Sequence, residues 1–319
     1  MGNQLSKRKK CVDSKSASTS TKYTSDSFNN GSALSSCVSK YAQEVFPHTT
    51  SEAGRQQGEH YLLKHVFQTS HFAPVNEILT KEDSKVLDIG CGVHASWLLD
   101  MANDFPNCKF TGIDIIQPFT LETDTDSIGH IPANCQLVKL DVFDGFSFPD
   151  KSFDFVHQRM MQIVYPGDKV SWMFAEMLRL TKDNGWIELV ELDSAPKRAG
   201  PIFAKVFVAL RALMTDRLGR LLTGSSIARK MDQNGLLDVT TDYGSAPVCW
   251  GGYVGKLVYE DLLVFFKHLG PSIFGYLDLG DEFNEEAYDA LLDSAFDECV
   301  EYQTFLNIRW VYGRKPASS

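Results

Sequence analysis

The feature that most constrains this chain is a short apolar run that ends in two closely spaced glycines. Residues 86–92 read Val-Leu-Asp-Ile-Gly-Cys-Gly, so Asp88 stands just before Gly90 and Gly92. The apolar run predicts a buried strand, and the glycines predict a tight turn at its end. Because glycine lacks a Cβ, the backbone of that turn can approach a ligand closely. A helix predicted over residues 94–103 presents its N-terminal amides at the same point, so this segment predicts a ligand site.

Strands and helices alternate along the chain around this run. Strands are predicted at residues 85–90, 109–114, 136–141, 153–156 and 186–192, and near 236–241 and 304–312. Helices are predicted at residues 52–68, 94–103, 168–181, 199–223, 225–233, 252–269 and 284–300. Such alternation favours an α/β fold, in which a mostly parallel sheet has helices on both faces. These sheets bind ligands at the carboxyl ends of their strands, where Asp114 and Asp141 are expected.

Two chemistries fit a glycine turn of this kind. Gly90-x-Gly92-x-x-Ala95 satisfies the dinucleotide-binding pattern, with Asp114 as the acid for the ribose. An NAD-dependent oxidoreductase is therefore one alternative. The second alternative is a ligand with a cationic amino group. Asp88 favours this ligand, because a carboxylate at this point attracts the amino group and repels a diphosphate.

The segments resemble the motifs of the class I S-adenosylmethionine-dependent methyltransferases. The resemblance covers about residues 85–193, and the last strand, within residues 302–316, is similar to the closing antiparallel strand of that family. The first motif, the ribose-binding acid and the adenine-contacting pair of the family correspond to Asp88-x-Gly90-x-Gly92, Asp114 and Asp141-Val142. The third glycine of the family's loop is His94 here, which departs from the pattern.

This resemblance implies a fold, a cofactor and a set of binding residues. The fold is Rossmann-like, with a mostly parallel seven-stranded sheet, helices on both faces and added helices. The cofactor is S-adenosyl-L-methionine. The residues that the resemblance assigns to the cofactor are Asp88, Gly90, Cys91, Gly92, Asp114, Ile115, Asp141, Val142 and His157.

A narrower resemblance is to the fungal methyltransferases that are grouped with the regulator LaeA. It rests on residues 55–74, on residues 153–161, which end in His-Gln-Arg-Met-Met, and on residues 185–193. It implies a fungal methyltransferase linked to secondary metabolism, and it leaves the substrate undefined.

The implied reaction is in-line displacement at the sulfonium methyl by a small-molecule or protein acceptor, a reaction in which the protein mainly positions the reactants. His157 and Glu191 are expected to follow the fourth and fifth strands, near the acceptor. His157 is a candidate base, because imidazole titrates near neutrality, or it only borders the cofactor. Glu191 is a candidate catalytic residue, or it only caps its strand. Since no base is obvious, a regulatory protein that keeps the fold without turnover is a further alternative.

The segments outside the compact core of residues 85–193 have their own expected role. Residues 41–80 and 199–300 carry apolar side chains at helical spacing, which fits either helix packing or a pocket for an apolar acceptor. We expect them to form the lid and the acceptor pocket. Residues 41–319 are therefore predicted to be one methyltransferase domain.

The charge of the chain is unevenly distributed. Residues 1–40 have seven basic residues against two acidic ones, a net +5, so the overall −10 leaves −15 on the other 279 residues. The acidic body disfavours a nucleic-acid partner. Residues 1–40 also hold 14 Ser and Thr with few large apolar side chains, which predicts a disordered tail. The seven cysteines show no metal-ligand spacing, and we expect reduced thiols and no metal.

The extreme N-terminus carries a lipidation pattern. Gly2 followed by Ser6 fits the acceptor pattern for N-myristoylation. One myristoyl chain binds membranes weakly, and the basic run at residues 7–10 adds attraction to anionic lipid. We expect a cytoplasmic protein that associates peripherally with membranes. The alternative is a solvated basic tail or a nuclear-import patch, with a nuclear location.

Replacement of the acceptor glycine tests this expectation. We expect Gly2→Ala to shift the protein from the membrane fraction to the soluble fraction of lysed cells, because N-myristoylation requires glycine at that position. The matched variant Gly31→Ala, in the same tail, should leave the distribution unchanged. A wild-type protein found wholly in the soluble fraction contradicts the expectation.

Overall fold

The computed structural model describes residues 40–117, 131–219, 224–280 and 282–317. The tail predicted at residues 1–40, including Gly2, lies outside the described residues apart from Lys40. The end of the helix predicted at 199–223 also lies outside them, at residues 220–223.

Strands and helices alternate through the first part of the described chain. The strands are β1 (Lys85–Ile89), β2 (Lys109–Asp114), β3 (Cys135–Lys139), β4 (Phe153–Arg159), β5 (Thr181–Leu192), β6 (Leu237–Pro247) and β7 (Phe305–Arg314). The helices are α1 (Thr50–Phe67), α2 (Asn76–Thr80), α3 (Ser96–Asp104), α4 (Val170–Leu180), α5 (Pro201–Leu218), α6 (Gly224–Gln233), α7 (Tyr253–Ile273) and α8 (Glu285–Glu301). Short 3-10 turns cover Val142–Asp144 and Phe274–Tyr276.

The strands form one sheet in the order β3-β2-β1-β4-β5-β7-β6. β1 to β5 pair in parallel, whereas β7 runs antiparallel to both β5 and β6. The predicted α/β fold with a mostly parallel seven-stranded sheet is confirmed. The chain moves outward from β1 to β3 on one side and then returns to β4 on the other. The carboxyl ends of β1 and β4 therefore border the crevice where sheets of this type bind ligands.

Two candidate residues lie within strands rather than after them. β4 continues to Arg159, so the expectation that His157 follows this strand is wrong. β5 covers Thr181–Leu192 and ends where the predicted strand 186–192 ends, so Glu191 lies within the strand and the expectation that it follows the strand is also wrong. Both strands are paired on two sides, and this pairing satisfies the backbone at polar positions that resemble a loop.

The third strand, in contrast, is shorter than predicted. β3 ends at Lys139, and Asp141 lies beyond it, where its side chain accepts a hydrogen bond from the Phe143 amide at 2.9 Å. An aspartate that bonds the backbone two residues on favours a turn over continued strand. Asp141 is thus the N-cap of the short turn Val142–Asp144.

A layer of helices covers the β5–β7–β6 side of the sheet. Buried apolar side chains of α1, α5, α7 and α8 form one cluster with inward-facing residues of β5 and β7. Leu62, Phe207 and Phe266 are members of this cluster from three different helices. The segments predicted as lid and acceptor pocket therefore pack together, beside the crevice of the parallel half. Among the described residues, no helix has both the length and the apolar character needed to span a bilayer.

Candidate functional site

The turn after β1 is held open by two glycines in left-handed conformations. Gly90 has φ +72° and Gly92 has φ +78°, values that residues with a Cβ rarely adopt. A Cβ on Gly90 would overlap the Met161 sulfur, and one on Gly92 would overlap the Gln56 side-chain oxygen. The amides of Gly90 and Cys91 both donate to the Ile113 carbonyl, at 2.9 and 3.0 Å. The turn is therefore fixed against β2 and lies open toward the crevice.

Asp114, at the end of β2, braces this turn. One carboxylate oxygen accepts from the Gly92 amide at 2.9 Å, and the other accepts from the Ile116 amide at 3.0 Å. Burial raises the pKa of Asp114, and those amides oppose the shift. Each carboxylate oxygen has two lone pairs, so Asp114 retains capacity to accept from ligand hydroxyls.

Three polar side chains lie in register across neighbouring strands. Asp88 on β1 stands beside His157 on β4, which stands beside Glu188 on β5. The Asp88 carboxylate and His157 Nδ1 are 2.8 Å apart, and His157 Nε2 lies 3.9 Å from a Glu188 oxygen. Trp97 stacks on the imidazole, with ring centroids 3.7 Å apart and planes 7° from parallel. This row fixes the orientation of the Asp88 carboxylate at the end of β1.

The environment of His157 bears on its candidate role as a base. Its side chain is buried, and burial lowers its pKa, while Asp88 opposes the shift. A neutral imidazole with Nδ1 protonated donates to Asp88. Glu188 accepts the amides of Phe72 and Ala73, and burial raises its pKa to about 7. The geometry therefore favours His157 as the residue that positions Asp88, and a role as base remains a prediction.

One cavity is lined by every residue that the resemblance assigns to the cofactor. It lies between the glycine turn, the end of β2 and the turn that Asp141 caps. The predicted residues that line it are Asp88, Gly90, Cys91, Gly92, Asp114, Ile115, Asp141, Val142 and His157. We call it the first cavity.

The first cavity also has walls that the sequence did not indicate. They come from α1 and the segment before it, from α3 and from the residues after β4, and include Phe46, Arg55, Gln56, Trp97 and Met160. Gln56 links α1 to the glycine turn, since its side-chain oxygen accepts from the Val93 amide at 3.1 Å. No cofactor motif marks Phe46, Arg55 and Gln56, because they reach the turn only through the packing of α1 and the segment before it.

A second cavity adjoins the first. The two are similar in volume, about 120 and about 130 Å³, and they share Phe46, Arg55, Glu59 and Met160. We call these four shared residues the neck. Side chains of α1, α5, α7, β5 and β7 line the second cavity, and most of them are apolar, as Leu62, Leu210, Phe265 and Ile308 are.

Arg55 is the charged centre of the neck. It pairs with Glu52 at 2.8 Å, Glu59 at 2.7 Å and Asp261 on α7 at 2.8 Å. Its guanidinium lies over the Phe46 and Phe265 rings, 5.9 and 5.7 Å from their centroids. Although burial opposes it, these carboxylates hold the pKa of Arg55 above its usual range. Arg55 therefore joins α1 to α7 where the two cavities meet.

Glu191, the other candidate catalytic residue, lines the second cavity rather than the first. It is fully buried, and its Oε1 accepts from the amides of Met161 and Gln162 at 3.0 and 3.2 Å. Within the part of the chain that the structure describes, its Oε2 has no hydrogen-bond partner. Burial raises the pKa of Glu191 to about 8, although the two amides and the nearby Gln158 side chain lower it.

The sheet order, the glycine turn and the acids beside the first cavity define the class I, Rossmann-like methyltransferases. Residues 86–185 match the family described as a methyltransferase domain. Over this segment the chain therefore matches a methyltransferase domain, and the cofactor of class I methyltransferases is S-adenosylmethionine. The resemblance found in the sequence is confirmed.

Curated relatives include two N-methyltransferases and one regulator. N-methyltransferase tcpN of Claviceps purpurea is 36% identical over 145 residues, which are 44% of this chain and 49% of that protein. N-methyltransferase verN of Clonostachys rogersoniana is 24% identical over 217 residues, 67% of this chain and 71% of that protein. The secondary metabolism regulator laeA of Coprinopsis cinerea is 28% identical over 151 residues, 46% of this chain and 35% of that protein. The chain thus spans about half the length of tcpN and about a third of laeA.

Solved structures with a similar fold share little sequence with this chain. A cyclopropane-fatty-acyl-phospholipid synthase-like protein from Lactobacillus casei has a TM-score of 0.49 at 16% identity, over 86% of this chain and 98% of that one. A Haemonchus contortus phosphoethanolamine N-methyltransferase 2, solved with S-adenosyl-L-methionine, has a TM-score of 0.44 at 16% identity, over 82% of this chain and 57% of that one.

The residues of the first cavity fit S-adenosylmethionine. The turn at Gly90 and Gly92 leaves no room for a Cβ, so backbone rather than side chain faces the ligand there. Asp88 supplies a fixed carboxylate for a cationic amino group, and Asp114 supplies acceptors for ribose hydroxyls. Val142, buried beside Asp141, offers an apolar surface for an adenine ring.

A substitution at the second turn glycine tests this fit. We expect Gly92→Ala to weaken S-adenosylhomocysteine binding by about tenfold or more, which is about 1.4 kcal/mol, measured by titration calorimetry. The added Cβ strains a φ of +78° and displaces Gln56 from the turn.

Gly235→Ala is the matched control. Gly235 has φ +82°, with nothing within 4 Å of an added Cβ, and it does not line the first cavity. It should lose about 1 kcal/mol of stability from the same backbone strain and bind the ligand as the wild type does. Equal loss of binding in both variants would contradict the role of the turn.

Proposed function

We propose that this protein transfers the methyl group of S-adenosylmethionine to a nitrogen atom of a small molecule with an apolar body. The observation that carries the proposal is the neck, where the cavity that fits the cofactor adjoins a second cavity with a mostly apolar lining. Two of the curated relatives are named N-methyltransferases, which supports nitrogen as the acceptor atom. The acceptor enters the second cavity, and its nucleophilic atom reaches the neck.

Each side of the neck has its own task in this proposal. When bound, S-adenosylmethionine supplies an electrophilic methyl group on a sulfonium. Asp88 holds the cationic amino group of the cofactor, Asp114 holds its ribose, and Asp141 with Val142 holds its adenine. Phe46 and Met160 exclude water from the neck, and alignment of the two reactants there lowers the barrier by converting a bimolecular step into a unimolecular one.

A regulatory protein without turnover is the second candidate. The relative named as a secondary metabolism regulator favours it. In that case the protein binds S-adenosylmethionine in the first cavity, and occupancy of that cavity is what matters. The two candidates differ in one observable result, the appearance of a methylated product.

We further propose that Gly2 carries a myristoyl group and that the protein works at the cytoplasmic surface of a membrane. The support is the pattern formed by Gly2, Ser6 and the basic residues 7–10. An apolar acceptor would be available at such a surface.

Ligand titrations distinguish the cofactor classes. We expect S-adenosylhomocysteine to bind the wild type with a dissociation constant in the micromolar range and NAD to show no binding, because Asp88 opposes a diphosphate. Asp114→Ala should weaken S-adenosylhomocysteine binding by about tenfold or more through loss of the ribose contact and of the braced turn. Asp289 is a surface carboxylate paired with Lys267 on α7. As a control, Asp289→Asn should bind S-adenosylhomocysteine as the wild type does.

Turnover is measured on the same protein. A cell extract is incubated with the enzyme and S-adenosylmethionine labelled in its methyl group, and mass spectrometry searches for a labelled small molecule. We expect a labelled apolar amine that is absent with Asp114→Ala. Binding of S-adenosylhomocysteine without any labelled product favours the regulator, and tight NAD binding instead overturns the methyltransferase.

A further inference from the structure

One carboxylate of the second cavity's lining has an oxygen that accepts no hydrogen bond from the described residues. Glu191 is fully buried, and its Oε1 is satisfied by two backbone amides. Its Oε2 has no hydrogen-bond partner among the described residues. An unsatisfied buried polar atom loses its hydrogen bonds to water without replacing them, so native structures rarely keep one without a reason. A ligand donor in this cavity would supply the missing hydrogen bond.

The other charged groups around the cavity already have partners or lie at its edge. From α1, Arg55 and Glu59 face it, and Asp261 faces it from α7; these three form one ion-paired group. Asp193, just after β5, pairs with Arg309 at 3.2 Å, and Arg211 on α5 is exposed.

Glu191, in contrast, has no cationic partner among the described residues. Among the described residues, no Lys, Arg or His nitrogen lies within 4 Å of its carboxylate. The polar groups next to it are uncharged: Gln158, which accepts from the Tyr165 hydroxyl, and Gln162, which binds the Leu192 carbonyl. The cavity thus offers an apolar body and two unpartnered acceptors, Glu191 Oε2 and the side-chain oxygen of Gln162, of which only the first belongs to an ionisable group, and it holds no cation at the Glu191 carboxylate.

We propose that Glu191 receives the basic nitrogen of an apolar amine in the second cavity and takes its proton during methyl transfer. This inference rests on the proposed function and deepens it, since it names the acceptor class. An alcohol or a thioether of the same shape would satisfy the oxygen less well, because a charged donor forms the stronger hydrogen bond. A carboxylate ligand would be repelled by the ionised form of Glu191.

The step balances in atoms and charge. The bound ammonium first gives one N–H proton to Glu191 Oε2, which converts the carboxylate into a carboxylic acid and frees the nitrogen lone pair. That lone pair forms the new N–C bond while the C–S bond breaks, and the electron pair of the C–S bond stays on sulfur, which becomes neutral. The nitrogen becomes positively charged as it gains the methyl group, so the product is a methylated ammonium ion beside a protonated Glu191.

The raised pKa of Glu191 suits this role and sets the direction of the pH effect. With a pKa of about 8, the free cavity holds a carboxylic acid below that pH and a carboxylate above it. A cationic ligand needs the carboxylate, so its affinity should rise as the pH increases through 8. A neutral ligand of the same shape should show no such rise.

Two soluble probes of nearly equal shape test the inference. 3-Phenylpropylamine is a cation throughout pH 6 to 9, since alkylamines, like the lysine amine, have a pKa of about 10.4. 3-Phenylpropanol replaces the amine with an uncharged hydroxyl. Because neither probe titrates in that range, any pH dependence reports a group of the protein. Calorimetry on the full-length protein gives both affinities at pH 6 and at pH 9.

We expect the wild type to prefer the amine by about tenfold or more at pH 9 and to lose most of that preference at pH 6. Glu191→Gln keeps the oxygen that accepts from Met161 and Gln162 and should bind both probes equally at both pH values. Glu298→Gln is the matched control. Glu298 on α8 also accepts two backbone amides, those of Ile202 and Phe203, but it lines neither cavity, so this variant should keep the wild-type preference.

Equal affinity for the two probes in the wild type overturns the inference, as does a preference that survives in Glu191→Gln. S-Adenosylhomocysteine binding, measured on the same samples, separates this result from the proposed function. A protein that binds S-adenosylhomocysteine without preferring the amine contradicts only the role of Glu191. A protein that prefers the amine without binding S-adenosylhomocysteine contradicts only the proposed methyl transfer.

Discussion

The structure depends on the pairing of β1 with two parallel strands, one along each of its edges. β2 lies on one side of β1 and β4 on the other, so the connections after β1 and β4 diverge and leave a crevice between them. The glycine turn fills the floor of that crevice. Because Asp114 and the Ile113 carbonyl accept hydrogen bonds from the turn, β2 fixes the position of that floor, and Gln56 of α1 adds a contact at Val93.

The helical layer gives the crevice a second compartment. α1 crosses from the glycine turn, which it touches through Gln56, to α7, which it touches through Arg55. A buried charge of this kind adds little net stability, since desolvation offsets much of the attraction, but loss of one partner leaves an uncompensated charge and costs about 3–5 kcal/mol. The Arg55 group therefore fixes α1 relative to α7 at the neck.

Sequence reasoning succeeded where the determinants are local. The strand that ends at Ile89, the turn glycines and Asp114 lie within 30 residues, and the residue type at each of these positions indicates the local conformation. The sequence pattern gives the wrong position for residues whose hydrogen-bond partners come from far along the chain. His157 resembles a loop residue until Asp88 and Glu188 stand on either side of it in the sheet.

The walls of the cavities show the same limit. Arg55 reaches Asp261 across 206 positions, and no spacing pattern connects them. Glu191 was a candidate from its place near a strand end, but only its position in the second cavity, with one oxygen unpartnered, gives it a specific role. Residue type predicted the binding of the cofactor, whereas the acceptor side required the packing of α1, α5 and α7.

The central claim is that one cavity holds the methyl donor and opens through the neck into the acceptor cavity. A crystal structure of the protein with S-adenosylhomocysteine tests it most directly. The account predicts the ribose on Asp114, the adenine against Val142 and the sulfur at the neck, between Phe46 and Met160. A ligand bound elsewhere, or one whose sulfur faces away from the second cavity, would contradict it.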